Sequence, residues 1–92
     1  MPRALIPGTL GVMPGFLLHH RHDSTDCGIA FAAWRGFESP LRHRHTVGTC
    51  SLGGHELWWL VDAPTTDGAL AQLPPWLAER TRVIHIGDVS IP

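Results

Sequence analysis

Seven histidines and two cysteines are the side chains best suited to chemistry in this chain. His19, His20 and His22 with Asp23, then His43 and His45, then His55-Glu56, form a loose series of metal-capable groups. Zinc asks for tetrahedral nitrogen and sulfur ligands at characteristic spacings. Here Cys27 and Cys50 stand apart with no Cys-x-x-Cys pair, and His55-Glu56-Leu57-Trp58-Trp59 lacks the second histidine of a metalloprotease helix. The pattern predicts surface histidines, no metal site and no cofactor. As nucleophiles the two cysteines lack a nameable orienting partner, so they read as buried, inert thiols. Ser39 and Ser51 have no nucleophile elbow around them, and the glycines show no phosphate-loop spacing. Proton transfer is left to His55, Glu56 and His85 as the candidate catalytic residues. Trp58 and Trp59 are the candidate ligand-binding residues. Neighbours on a strand point to opposite faces, so one of the two belongs to the core and the other meets a ligand or a second subunit.

The elements that must position these residues are clearest in the second half. Thr46-Val47-Gly48-Thr49-Cys50-Ser51-Leu52 and His55-Glu56-Leu57-Trp58-Trp59-Leu60-Val61 read as two strands, and Gly53-Gly54 between them reads as a tight hairpin turn. Thr65 or Thr66 caps a helix whose Leu70, Leu73 and Leu77 share one face. Pro74-Pro75 interrupts it, which predicts a helix over 66–73 and a second short one near 75–80 with a proline in its first turn. Residues 82–91 read as a last strand, with a bulge at Gly87-Asp88 that resets the alternation. The order over residues 46–91 is β-β-α-β.

Residues 1–44 are less well specified. Residues 3–9 are a possible first strand. Ile29-Ala30-Phe31-Ala32-Ala33-Trp34 suits helix or strand alike, and residues 13–44 contain no amphipathic helix with caps at both ends. The chain of 92 residues is therefore divided into a poorly specified N-terminal segment, 1–44, and a folded half, 45–92.

Composition bounds the partners. The net charge is -1 and the pI near 6.6, so no bulk charge draws the chain to nucleic acid or to an anionic membrane. Pro7, Pro14 and nearby glycines break the N-terminal apolar stretch, which argues against a signal peptide or a membrane span and for a cytoplasmic location. Lys, Asn and Tyr are absent while Arg appears seven times, as expected of a G+C-rich gene.

Two resemblances follow from these residues. Gly53 to Pro64, with its Asp62-Ala63-Pro64 strand end, and Ala69 to Thr81, with its Leu-Pro-Pro break, resemble the C-terminal part of the muconolactone isomerase-like group. That group belongs to the dimeric α+β barrel superfamily. The resemblance covers residues 45–92 and implies an α+β, ferredoxin-like β-α-β-β-α-β fold, incomplete here for want of a first helix. It also implies two sheets packed face to face in a homodimer or higher oligomer. No catalytic residue transfers with it. Separately, residues 35–43 resemble the T-arm of a transfer RNA gene read as protein, because Gly36-Phe37-Glu38-Ser39-Pro40 can be written in codons that contain that sequence.

Three functional expectations result. The first is a self-associating domain that binds a small apolar or aromatic molecule between sheets, without nucleic acid or membrane as partner. The second is an isomerase-type enzyme using His55, Glu56 or His85. The third is a truncated or mis-started product with no function of its own.

Overall fold

The computed structural model describes residues 15–92. Strand β1, Gly15–Arg21, turns Phe16, Leu18 and His20 inward and leaves Leu17, His19 and Arg21 on the opposite face. Its alternation is hidden in the sequence because the run Phe-Leu-Leu is apolar at every position and the third inward residue is a histidine. The expected strand at 3–9 lies outside the described residues.

Strand β3, Glu56–Asp62, pairs with β1 antiparallel through seven registered positions, including Leu18 opposite Trp59 and His20 opposite Leu57. Strand β4, Thr81–Ile86, lies along the other edge of β1, with Leu18 opposite Val83 and Gly15 opposite Ile86. Strand β2 is only Val47–Gly48 and pairs antiparallel with β3. The result is an α+β fold on one four-stranded antiparallel sheet of order β2-β3-β1-β4.

The hairpin of β2 and β3 forms, but not as a tight Gly-Gly turn. Thr49 gathers the connection: its carbonyl accepts from the amides of Leu52 and Gly54, and its hydroxyl accepts from the Glu56 amide. Residues Cys50–Leu52 make a 3-10 turn that closes on Gly53 at φ 90°. The predicted strand 46–52 is thereby cut to two residues. A side chain at Gly54 would collide with that of Thr49, so the close return of the chain depends on glycine there.

Residues 63–80 cross one face of the sheet as two short helices. Helix α2, Thr66–Leu70, starts where the Thr65 hydroxyl accepts from the Gly68 amide at 3.0 Å. It stops short of the expected Leu73, since Pro74 biases the residue before it away from helical backbone. Helix α3, Pro75–Ala78, has its proline at the first helical position. Ala69, Leu73 and Leu77 are fully buried against Phe16, Leu18, Leu57, Trp59 and Val61, which makes this layer the core. Strand β4 ends at Ile86. The expected strand to residue 91 with a bulge at Gly87-Asp88 does not form: the strand is limited to Thr81–Ile86, and residues 87–92 carry no strand.

The connection from β1 to β2 crosses the same face more sparsely. It holds a 3-10 turn, Ser24–Asp26, and helix α1, Cys27–Ala32, which buries only Ala30 and lacks a side-chain cap. Residues 34–43 are tied down: the Ser39 hydroxyl donates to the Gln72 carbonyl at 2.7 Å, and Trp34 packs on Trp59 with ring centres 6.1 Å apart. No helix among the described residues is long and apolar enough to cross a membrane.

Candidate functional site

Among the described residues, three places combine accessible space with reactive or recognitional groups. The first is a cleft of about 270 Å³ between α1, residues 41–46 and β3. Trp59 and Leu57 form its floor, Phe31, Trp34 and Leu41 its walls, and Arg42 and Arg44 stand among its lining. An apolar slot with cationic groups suits a small aromatic molecule bearing an anion. His43, at φ 62°, also lines this cleft and holds a left-handed backbone that few non-glycine residues adopt.

The second is the sheet face turned away from the helices. Strand register places Leu17, Leu60 and Ile84 in one row and His19, Trp58, Val47 and Arg82 in the next. Val47, Leu60 and Ile84 are exposed, and a shallow apolar depression runs over Leu17, Val47, Trp58 and Leu60. His19 stacks flat on Trp58, with centroids 4.9 Å apart and planes within 2°. Glu56 Oε1 lies 3.5 Å from His19 Nε2, while Arg21 Nε lies 3.9 Å from the other carboxylate oxygen.

The third is a cluster of His22, Cys27 and His55. Each offers a ligand-type atom within 4.8 Å of the other two, and Cys27 Sγ stands 3.2 Å from His55 Nδ1. Behind it His20 is fully buried, with Nδ1 3.2 Å from the Leu77 carbonyl and Nε2 2.9 Å from His22 Nδ1. Burial holds His20 below the ordinary histidine value of 6.5; the Leu77 bond works the other way, and nearby His22 and Arg80 add to the lowering. His22 is lowered too, by burial first and by His55 next, against Asp26 and Asp23.

The expected site residues therefore scatter. Glu56 joins His19 on the open face, His55 joins the thiol cluster, and His85 stacks on Phe16, 5.1 Å between centroids, away from both. Trp59 is the core tryptophan and floors the cleft, whereas Trp58 faces the open side. The histidines are not uniformly superficial: His43 and His45 are exposed, but His20 and His22 are buried under Trp76. Nor are the cysteines fully buried; both are half-buried free thiols. Sequence spacing missed the His22, Cys27 and His55 group because its members sit at a strand end, a helix start and a hairpin return, which only the folded chain brings together.

No family model, no curated protein and no solved structure matches this chain.

Proposed function

We propose that this chain is a cytoplasmic, self-associating domain of the ferredoxin-like type that holds a small apolar or aromatic molecule in the cleft floored by Trp59. The cleft is the observation that carries the reading: aromatic and aliphatic walls meet Arg42 and Arg44 around a volume fit for one or two rings. The strand order β2-β3-β1-β4, with helices in both crossovers, supports the ferredoxin-like assignment, as does the resemblance of residues 45–92 to the muconolactone isomerase-like group. The apolar rows on the open face support a second copy as the partner. The same patch on both chains is self-complementary about a two-fold axis, and exposed apolar surface of this kind marks an interaction site. Membrane and nucleic acid have no place in this reading.

The test is titration with 2-naphthoate, followed by tryptophan fluorescence. Saturable quenching that is lost in Leu41→Arg supports the cleft. Unsaturable quenching, or quenching unchanged in that variant, contradicts it.

One observation favours an enzyme as the second reading. The His19 and Glu56 pair at 3.5 Å on the open face would be enclosed by a partner sheet, and a histidine beside a carboxylate suits proton transfer of the isomerase type.

A further inference from the structure

The His22, Cys27 and His55 cluster is independent of both the cleft and the open face. We propose that these three side chains form a binding site for a zinc-type divalent cation, with the fourth position open to solvent.

The backbone brings the ligands from three places. His22 follows the last residue of β1, Cys27 is the first residue of α1, and His55 precedes β3. The amide of His22 bonds the His55 carbonyl at 3.1 Å, so the two histidines are fixed side by side at one end of the sheet. Their rings lie 5.6 Å apart. Zinc–nitrogen and zinc–sulfur bonds of about 2.0–2.3 Å place tetrahedral ligands roughly 3.3–3.8 Å from one another. The Cys27 and His55 atoms already stand 3.2 Å apart, and the whole set lies within 4.8 Å, so closure on a cation needs side-chain adjustment of about an ångström.

The tautomers are set by the groups behind. The Leu77 carbonyl can only accept, and the Thr81 hydroxyl spends its hydrogen on that same carbonyl at 2.6 Å. His20 Nδ1 must therefore carry a hydrogen, shared between Leu77 O and Thr81 Oγ1. In the neutral ring His20 Nε2 is then an acceptor, and it takes the hydrogen from His22 Nδ1 at 2.9 Å. This leaves a bare lone pair on His22 Nε2. That atom is buried, with His22 only 6% exposed, and it has no hydrogen-bond partner. An unpartnered buried acceptor is costly. A cation between it, the thiol and His55 would satisfy it. A metal-bound histidine whose other nitrogen donates to a fixed acceptor is the usual arrangement in such sites.

The donor set selects the ion class. One thiolate and two imidazoles favour zinc and its tetrahedral relatives over magnesium or calcium, which take oxygen. Binding removes the Cys27 proton to solvent, so the site gains a cation and loses one proton. The exposed side opens between Asp23, Ser24, Gly53 and Gly54, which leaves room for water at the fourth position.

The experiment is cobalt(II) titration of the full chain after chelation, read by absorption. The expected result is one cobalt per chain, with intense tetrahedral bands and a thiolate-to-metal charge-transfer band. Cys50→Ser keeps the spectrum. Cys27→Ser loses the charge-transfer band and weakens binding by more than the roughly 10–100-fold that an outer partner alone is worth. Because Cys27→Ser can disturb the fold, the unmutated protein supplies the second reading: one equivalent of zinc slows iodoacetamide alkylation of Cys27 but not of Cys50. No stoichiometric binding, cobalt bound without a thiolate band, as a site of exposed histidines would give, or Cys27 alkylated equally fast with zinc, would each overturn the proposal.

Discussion

The two crossovers on the helical face of the sheet differ in kind. Residues 63–80 fold as α2 and α3, with a capping threonine at the start and a proline at the second helix's first position, and they seat Ala69, Leu73 and Leu77 in the core. Residues 22–46 fold as one six-residue helix between turns, with Ile29 50% and Phe31 58% exposed. Yet the second, looser crossover supplies Cys27, Trp34, Leu41 and Arg42, while the compact one contributes Leu77 O and Trp76 from behind. Packing is concentrated in one connection and chemistry in the other. Binding residues commonly sit on loops held by a rigid scaffold.

The largest effect expected from this contrast is on stability. Leu77→Ala should cost about 2–5 kcal/mol, since a fully buried leucine leaves a cavity when truncated. Phe31→Ala, in the looser crossover, should cost less than about 1 kcal/mol, because its side chain is more than half exposed. Urea unfolding of the two variants measures both. Equal losses would erase the distinction between the crossovers.

Acid should act next, through the histidines at their junction. His20 and His22 titrate below 6.5 when folded, so between that value and their lowered values the unfolded chain binds more protons. Stability is full above about pH 6.5 and falls as pH drops through the lowered values. Thermal unfolding of metal-free protein from pH 7.5 to 5 should show a declining Tm, and the decline should shrink in His20→Phe.

The N-cap gives a smaller effect. Thr65→Ala should lose about 1 kcal/mol, read by urea unfolding, because the Gly68 amide then has no side-chain acceptor. Amide exchange complements these variants. β1, β3 and β4 should be the slowest segments and α1 among the fastest.

What was legible in the sequence follows the same division. The cap at Thr65, the break at Pro74-Pro75, the antiparallel pairing of the 46–52 run with the 55–61 run, though not its register, and the opposed faces of Trp58 and Trp59 all rest on local rules, and local rules suffice where neighbours in sequence pack together. β1 was not legible, because His20 fills a core position where the Leu77 carbonyl, the Thr81 hydroxyl and His22 satisfy it. Helix α1 was ambiguous, since its short apolar run fits either period. The shortened β2 depends on Thr49, whose hydroxyl and carbonyl win the hydrogen bonds that a longer strand would have used. The cluster at Cys27 joins residues 28 positions apart, which no spacing rule anticipates.

Self-association through the open face is the central claim of the proposed function that the cleft does not carry, and sedimentation at micromolar concentration tests it directly. Trp58 and the rows of Leu17, Leu60 and Ile84 offer apolar area worth roughly 25 cal/mol per Å² when covered, which is substantial against the small net stability of a chain this short. The account predicts a dimer or larger species for the wild type, and a less stable monomer for Trp58→Arg. A folded wild-type monomer, as stable as the variant, would contradict it.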